Sequence, residues 1–314
     1  MPELPDIALY LHALEPRVLG ERFEHIRLAS PFVLRSTTPT LADIEGRVVR
    51  ALRRLGKRIV FAFDDEYAMV LHLMIAGRLR WRPPGTKIPG KVGLAAFDFP
   101  AGTLLFTEAS AKHRASLYLV HGAAALAQHD PGGLDVRTAS AAQFSVTLRS
   151  ESHTLKRALT DPGLFDGIGN AYSDEILHAA KLSPLKLTTQ VDDEEVARLH
   201  RAARDTLITW IDRLQTETGK DFPEKVTAFR EGMAVHGRYR KPCPVCGASV
   251  QRIRYASNEA NYCARCQTGG RMLADRSLSR LLKQDWPRSI DDWEARTRDT
   301  GHTVSGHDST PDPS

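Results

Sequence analysis

The four cysteines of this 314-residue chain lie in one short segment, and their spacing is typical of a metal site. They form two close pairs, Cys243 with Cys246 and Cys263 with Cys266. Two such pairs joined by a hairpin place four thiolates around one tetrahedral ion, and four sulfur ligands leave no position for a catalytic water. Disulfide bonds are the alternative, but a chain of this length without a secretory signal rarely needs them. The spacing therefore predicts one structural Zn²⁺ ion that fixes a small hairpin.

The N-terminal sequence MPELPDIALY supports two interpretations. If Met1 is removed, the chain starts with the secondary amine of Pro2. An α-amino group has a pKa of about 7.8, against about 10.4 for lysine, so much more of it is unprotonated and nucleophilic near neutral pH. Glu3 then stands beside a nucleophile as a proton donor. Alternatively, Pro2 and Pro5 only occupy the first turn of a helix, where proline is favoured.

Composition and charge indicate a cytoplasmic protein with an acidic partner. The chain has 42% hydrophobic residues and no run of 18 apolar residues, and its acidic start differs from that of a signal peptide. The net charge is +5, and basic residues cluster at 50–58 and at 238–241. Separate basic clusters favour a partner lined with phosphates, although each cluster alone is also explained by a solvated face.

The pattern of the chain changes from strands to helices near residue 130. A first helix is predicted from apolar residues at helical spacing, namely Ile7, Leu11, Leu14 and Val18. Runs such as RVVRAL, RIVFAF, AMVLHL and LAAFDF then predict antiparallel strands in a sandwich, and HDPGGLDV marks a hinge. Downstream, VDDEEVARLHRAARDTLITWIDRL predicts a core helix that begins with a capping box of Asp192 and Glu195. The polar tail over residues 298–314 is predicted to be disordered.

A second candidate site lies in the segment LFDGIGNAYSDEIL. Gly167 and Gly169 allow a tight turn into a helix that starts near Asn170. The N–H groups at a helix start carry positive dipole character and can hold a phosphate. Asn170 is therefore a candidate for the cap of this helix and for a phosphate donor. Glycines also occur at turns between helices for steric reasons alone, so this pattern is weak by itself.

Together, these motifs resemble one family, the bacterial formamidopyrimidine-DNA glycosylase and endonuclease VIII family of base-excision repair enzymes. The resemblance runs from Met1 to about Gln267 and rests on PELPD, LGKRIV, HLMIAGRL, DGIGNAYSDEIL and the hairpin ending CARCQ, in the family's order. It implies an α+β multidomain fold. The parts are an N-terminal catalytic β-sandwich with a leading helix over residues 1–130, a helical helix-two-turn-helix domain over 131–232 and a four-cysteine zinc finger over 233–285. We expect a monomer that binds double-stranded DNA containing damaged bases or abasic sites, near the nucleoid.

The resemblance also implies roles for individual residues. In the family the N-terminal proline attacks C1′ of the damaged nucleotide, so Pro2 would displace the base, form an iminium ion with the opened sugar and allow elimination to break the strand. Glu3 would protonate the ring oxygen. Asp6 stands where the family usually has glutamate and would orient the terminus or a water. Three further residues match phosphate-binding positions, namely Lys57, Lys156 and Asn170. Such contacts supply affinity without reading sequence, and the target base must leave the duplex to be reached.

Three departures from the family pattern concern the DNA contacts. The family usually has a phosphate-gripping arginine five residues before the third cysteine, and Asn258 stands there instead. Asparagine lacks the fixed charge, so the grip weakens or moves to Arg252 or Arg254. The apolar wedge that fills the gap left by the flipped base is often methionine in the family and is Ile75 here. Candidates for contacts to the opposite strand, which are equally explained as exposed strand-edge residues, are Lys112, His113 and Arg114.

Two functions remain open from the sequence. The first is a DNA glycosylase with AP lyase activity through Pro2. The second is a non-catalytic or lyase-weak zinc protein that binds damaged, nicked or abasic DNA, for which Lys57, Asn170 and the zinc hairpin would serve equally well. The enzyme is favoured, because the nucleophile and the acid Glu3 are both present while only phosphate contacts have changed. The preferred lesion stays open, because its pocket depends on loops.

Overall fold

The structure is a computed structural model, and it describes residues 1–110, 112–255, 258–274 and 286–299. Of the tail over residues 298–314 that is predicted to be disordered, residues 298 and 299 are helical, so the prediction is wrong there, and the rest lies outside the described residues. The side chain of Asn258 also lies outside the described part of the chain.

The chain divides into two compact units, which are described separately below. The N-terminal unit comprises Met1–Gly132 and Thr209–Ala228. The C-terminal unit comprises Gly133–Ile208 and the described residues from Phe229 onward. The first boundary falls inside the HDPGGLDV stretch, while the limits of the three separate domains stay predictions.

Helix α1 (Leu4–Val18) leads the N-terminal unit, as the apolar spacing predicts. Asp6 fixes its first turn, because its carboxylate accepts the N–H of Glu3 at 2.9 Å. The face that packs into the core carries Ile7, Tyr10, Leu14 and Val18, all buried. Leu11 is only partly buried and packs at the margin of this core. The helix thus holds the first residues of the chain against a hydrophobic core.

Two antiparallel sheets of four strands each form the body of the N-terminal unit in the described residues. The strands are β1 (His25–Leu28), β2 (Val49–Leu55), β3 (Arg58–Phe63), β4 (Tyr67–His72), β5 (Gly77–Arg82), β6 (Gly93–Phe99), β7 (Gly102–Glu108) and β8 (Ser116–His121). Their orders are β1-β6-β7-β5 and β2-β3-β4-β8. Apolar side chains from both sheets share one core with helix α1, which confirms the predicted sandwich. A short 3-10 helix (Pro31–Val33) and helix α2 (Ala123–Ala127) lie in the connections.

The C-terminal unit begins with helices. They are α3 (Ala141–Arg149), α4 (Leu155–Thr160), α5 (Asn170–Ala179) and α6 (Asp193–Thr218), whose last residues belong to the N-terminal unit, with a 3-10 turn at Thr188–Gln190. The predicted capping box at the start of α6 is present. The Asp192 N–H donates to Glu195 Oε2 at 3.2 Å, and the Glu195 N–H donates to Asp192 Oδ1 at 2.8 Å. The predicted apolar face of α6 is buried, namely Val196, Leu199, Ala203, Leu207, Trp210 and Leu214.

A β-hairpin and two helices complete the described part of the C-terminal unit. They are β9 (Gln251–Tyr255), β10 (Asn258–Tyr262), α7 (Ala264–Thr268) and α8 (Ile290–Asp299). Helix α8 packs on the hairpin region, because Ile290 is buried in a core with Cys243 and Cys263. Its Glu294 accepts the N–H of Ser249 at 3.0 Å. No helix among the residues that the structure describes is long and apolar enough to cross a membrane.

Candidate active site and metal centre

The N-terminus lies in a cluster of charged groups in the N-terminal unit. Pro2, Glu3 and Asp6 are all buried. Burial lowers the pKa of the terminal amine, which Met1 carries. The charges of four side chains also act on the pKa of this amine. Glu3 and Asp6 raise it, while Arg78 and Lys57 lower it, and the effects decrease in the order Glu3, Arg78, Asp6, Lys57. The structure therefore brings together the four residues that the sequence predicts for the catalytic site and adds Arg78 to them.

Lys57 lies in the tight turn between β2 and β3, where Gly56 has a φ of 59°. In the next hairpin, strand register places Arg58 opposite His72, the last residue of β4. Burial lowers the pKa of His72 to about 4, and the charges of Arg58 and Lys57 act in the same direction. His72 is therefore neutral at physiological pH. Sequence reasoning missed this residue, although it begins the HLMIAGRL motif.

Ile75 projects from a braced turn between β4 and β5. Its side chain is 62% exposed, which is unusual for a large apolar residue. The Gly77 N–H donates to the Leu73 carbonyl at 2.8 Å, and a Cβ on Gly77 would lie 2.2 Å from that oxygen, so only glycine fits. Arg78 Nη1 donates to the carbonyls of Gly77 and Ile75 at 2.7 and 3.1 Å. The turn thus presents one apolar side chain on a fixed backbone.

The connection between β7 and β8 presents three basic or ionisable side chains to solvent, namely Lys112, His113 and Arg114. The carboxylate of Glu108, at the end of β7, accepts the N–H groups of Arg114 and Ala115, each at 3.1 Å. Arg114 therefore combines a fixed backbone with an exposed guanidinium.

The start of helix α5 differs from the prediction in one respect. The N-cap residue is Gly169, and Asn170 is the first helical residue, so the prediction that Asn170 caps the helix is wrong. Gly169 takes the cap with an extended backbone, and Gly167, two residues earlier, has a φ of 76°. The side chain of Asn170 is half-buried.

Lys156 lies directly behind Asn170. Its side chain is buried, and Nζ donates to the Asn170 carbonyl and to Asp174 Oδ1, both at 2.6 Å. The ion pair with Asp174 occupies the ammonium group. Lys156 therefore supports the backbone at Asn170 in this structure.

Asp174 is the centre of a buried network that joins helix α5 to the hairpin. Its Oδ2 lies 2.8 Å from His236 Nδ1 and accepts from Asn261 Nδ2 at 3.2 Å. The neighbouring Glu175 accepts the backbone N–H groups of three consecutive residues, namely Ala234, Val235 and His236. Burial raises the pKa of Glu175, and these N–H groups oppose that rise. Every residue of the network belongs to the C-terminal unit.

The four cysteines meet in the C-terminal unit with the geometry of a metal site. All four Sγ atoms lie within 4.8 Å of one another, with Cys246 and Cys263 at 3.4 Å and Cys243 and Cys266 at 3.9 Å. A tetrahedral ion with Zn–S bonds of about 2.3 Å separates its sulfur atoms by about 3.8 Å, so the group fits Zn²⁺. Burial raises the pKa of Cys263, and that of Cys266 to about 11. These thiols therefore need a bound cation to ionise at neutral pH.

Hydrogen-bond donors surround the sulfur atoms. The N–H of Ala248 points at Cys246, and the N–H of Cys266 points at Cys263. His178, near the end of helix α5, places Nε2 at 3.3 Å from Cys243 Sγ. Burial lowers the pKa of His178, and the charge of Lys181 adds to this. The imidazole is therefore neutral at physiological pH.

The hairpin arginines proposed to replace the missing charge have different surroundings. Arg252 Nη1 lies 3.7 Å from Glu259 Oε2, and its guanidinium lies 4.2 Å from the ring centroid of Tyr239. Arg254 is exposed, and its backbone pairs with Glu259 across the hairpin. Glu259 thus offsets part of the charge of Arg252 and lies opposite Arg254 in the strand register.

Three family models match the chain in the order that the sequence predicts. The formamidopyrimidine-DNA glycosylase N-terminal domain matches residues 1–114, and the formamidopyrimidine-DNA glycosylase H2TH domain matches residues 133–220. The zinc finger found in FPG and IleRS matches residues 240–269. Fold and metal site together define a zinc-finger protein of the H2TH class.

Curated relatives match over their full length. The formamidopyrimidine-DNA glycosylase of Heliobacterium modesticaldum is 31% identical, and the match covers 85% of this chain and 100% of the relative. The same enzyme of Thermus thermophilus is 31% identical over 86% of this chain and 100% of its own. An uncharacterized formamidopyrimidine-DNA glycosylase-like protein of Mycobacterium tuberculosis is 40% identical over 49% of this chain and 93% of its own. This chain belongs to the formamidopyrimidine-DNA glycosylase family.

Solved structures agree with this fold. A complex between the LlFpg protein, a THF-DNA and an inhibitor has a TM-score of 0.75 and 23% identity, and covers 85% of this chain and 100% of that chain. Lactococcus lactis Fpg bound non-covalently to DNA containing an AP site has a TM-score of 0.74 and 22% identity, with coverages of 85% and 99%. The predicted family, the α+β fold class and the four-cysteine metal site are confirmed. The roles of the individual site residues stay predictions.

Proposed function

We propose that this protein is a base-excision repair DNA glycosylase with AP lyase activity, and that Pro2 is its nucleophile once Met1 has been removed. The main support for the proposal is the cluster at the terminus. Pro2 and Glu3 are buried there, and the charge of Lys57 acts on the terminal amine. The glycosylase names of relatives that match at 31% identity over their full length support the same activity.

The surroundings of the terminus favour an unprotonated amine. Burial lowers the pKa of the terminal amine on Met1, and Arg78 and Lys57 lower it further, against the opposing effect of Glu3 and Asp6. When Met1 is removed, the terminal amine becomes the nitrogen of the neighbouring Pro2, which is also buried. A pKa below the usual value of about 7.8 increases the nucleophilic fraction at neutral pH.

The proposed reaction uses groups of this chain and water. The Pro2 nitrogen bonds to C1′ of the damaged nucleotide while the bond from C1′ to the base breaks, and the proton that the nitrogen loses goes to the leaving base. Glu3 gives a proton to the sugar ring oxygen as the ring opens, and an iminium ion forms between Pro2 and C1′. The positive nitrogen acidifies the C2′ hydrogen, and its proton passes to the Glu3 carboxylate as the 3′ phosphate leaves. Water then hydrolyses the iminium ion and regenerates the amine. Asp6 holds the Glu3 backbone in place.

DNA phosphates are the proposed ligands of residues in both units. Lys57 and Asn170 contact the phosphates beside the lesion, Arg114 contacts the opposite strand, and Ile75 fills the gap left by the flipped base. We propose that Lys156 acts through the Asn170 carbonyl, because its ammonium group is buried and paired with Asp174.

The hairpin is proposed to bind phosphate weakly. Asn258 supplies no charge, and the nearby Arg252 has Glu259 as a counterion. The first elimination therefore proceeds efficiently and the second slowly. The Zn²⁺ ion, held by the four cysteines, is structural and fixes the hairpin. The proposed partner is damaged double-stranded DNA in the cytoplasm near the nucleoid, and the proposed active form is a monomer.

Borohydride trapping tests this proposal. The purified protein, incubated with duplex DNA that contains an abasic site, forms a covalent complex when borohydride reduces the iminium ion. A Pro2→Gly variant and a variant with extra residues before Pro2 are expected to trap at least about 100-fold less. Pro5→Gly is the matched control, because it makes the same change in the first turn of helix α1 and leaves the terminal amine intact.

Two outcomes contradict the proposal in different ways. Equal trapping by the blocked variant would show that another amine is the nucleophile. Tight binding of the abasic duplex without any trapped complex in the native protein would support the non-catalytic DNA-binding function instead.

A further inference from the structure

The thiol groups of the metal centre receive hydrogen bonds from two different sources. The donors to Cys246 and Cys263 are backbone N–H groups two and three residues further along the chain. The partner of Cys243 is the imidazole of His178, which lies 65 residues away in the sequence, on helix α5. The imidazole therefore ties a separate secondary-structure element to a ligand of the metal.

Two of the ligands are almost fully buried, Cys243 at 2% and Cys263 at 0% exposure. Cys263 has the N–H of Cys266 as its donor, and Cys243 has the imidazole of His178 at hydrogen-bond distance. Cys246 and Cys266 are half-buried, so water reaches them in part. Four thiolates around one Zn²⁺ ion carry a net charge of about −2, and each N–H group aimed at a sulfur atom reduces the cost of burying that charge.

We propose that His178 is a positioning residue of the metal centre, which donates its Nε2–H to the Cys243 thiolate and thereby slows the loss of Zn²⁺. The distance of 3.3 Å is that of a hydrogen bond to sulfur, and the ring is buried at 6% exposure, so its orientation is fixed by packing. A donor to a metal ligand typically changes metal affinity by 10-fold to 100-fold. The same bond holds the end of helix α5 on the hairpin.

This role is independent of the reaction at Pro2. Both partners belong to the C-terminal unit, and the readout is the metal itself. Failure of the inference would leave the proposed glycosylase intact, and failure of the glycosylase proposal would leave this inference intact.

Zinc release tests the inference on the full-length, zinc-loaded protein. A coloured chelator in excess, such as 4-(2-pyridylazo)resorcinol, reports the rate of release. His178→Phe keeps a flat ring and removes the donor, and we expect release to become about 10-fold faster. His178→Gln places an N–H group near the position of Nε2, and we expect it to restore most of the native rate.

His200→Phe is the matched control. His200 is a second buried histidine of the C-terminal unit, packed on Phe144 at a centroid distance of 5.0 Å, away from the four cysteines. The same substitution there removes a buried imidazole without touching a ligand, so the release rate is expected to stay native. Equal release from the native, His178→Phe and His200→Phe proteins overturns the inference, as does equal acceleration in both variants.

A spectroscopic measurement on the native chain makes the inference testable even if His178→Phe does not fold. In the protein loaded with ¹¹³Cd²⁺ and labelled with ¹⁵N-histidine, the His178 Nε2–H proton is expected to exchange slowly and to show coupling to ¹¹³Cd through Sγ. A His178 ring that carries its proton on Nδ1, or an Nε2–H without such coupling, contradicts the inference.

Discussion

Two pairs of buried carboxylates in this molecule have different surroundings. In the N-terminal unit, Glu3 and Asp6 act on the terminal amine, a group that changes its charge during the proposed reaction. In the C-terminal unit, Asp174 and Glu175 accept hydrogen bonds from buried side chains and from backbone N–H groups of the fold. Burial is similar in both places, so burial alone does not make a carboxylate catalytic. The proposed difference is whether the neighbouring group changes its charge during the reaction or only holds the fold.

The strongest test of this comparison is the removal of the charge at Asp174. Asp174→Asn leaves the buried Lys156 ammonium without its counterion, and breaking a buried ion pair typically costs about 3–5 kcal/mol. We expect a loss of this size in the free energy of unfolding, measured in urea. Asp193→Asn, which alters an exposed ion pair with Arg149, is the matched control and is expected to cost less than about 1 kcal/mol. Similar losses in the two variants would mean that the network is not structural.

The second test removes the charge at Glu3. Glu3→Gln is expected to slow base excision about 100-fold in single-turnover assays, which corresponds to about 2.7 kcal/mol of activation free energy. The control is Glu15→Gln, on the exposed side of the same helix, which is expected to excise at the native rate. If Glu3→Gln excises at the native rate, Glu3 is structural in the same way as Asp174.

The third test uses the pH dependence of stability at His72. Its folded-state pKa of about 4 lies below the unfolded value of about 6.5, so the unfolded state binds more protons between these values. Stability is therefore lost as the pH falls through this window, by about 2 kcal/mol between pH 7 and pH 5 from this residue alone. We measure the free energy of unfolding in urea at pH 7 and at pH 5. The loss of stability between these pH values is expected to be about 2 kcal/mol smaller in His72→Gln than in the native protein. An equal loss of stability in His72→Gln and in the native protein would mean that the His72 imidazole is exposed to water and does not feel the charge of Lys57.

The smallest expected effect concerns the hairpin. Asn258→Arg restores a fixed positive charge near the phosphate, and we expect the product of second elimination to increase about threefold on a sequencing gel. Asn258→Gln lengthens the side chain without charge and serves as the control. An unchanged product ratio in Asn258→Arg would mean that Arg252 or Arg254 already supplies the charge despite Glu259.

The sequence predicts the parts of the molecule in which a local pattern fixes the chemistry. The spacing of Cys243, Cys246, Cys263 and Cys266 determines the metal centre, because hairpin geometry follows directly from it. The first helix and the capping box of helix α6 follow from side chains three or four residues apart. The strands that were identified from the sequence, β2, β3, β4 and β6, are those with clear β-branched or aromatic runs.

Other features depend on contacts that no local pattern contains. Strand β5 has the sequence GRLRWR, whose alternating arginines conceal a strand at the edge of a sheet. Asp174 and Glu175 resemble the exposed charges of any helix, but their hydrogen-bond partners lie between 18 and 87 positions away in the sequence. Asn170 has the residue type of a helix cap, but the extended backbone of Gly169 takes that position. Long-range packing decides each of these cases.

The most direct test of the central claim is to locate the DNA adduct by mass spectrometry. The borohydride-trapped complex is digested with nuclease and protease, and the peptide that carries the sugar remnant is sequenced. The account predicts a peptide that begins at Pro2, lacks Met1 and carries the remnant on its terminal nitrogen. A remnant on Lys57 or another lysine, or an N-terminal peptide that retains Met1 in an active preparation, would contradict the account.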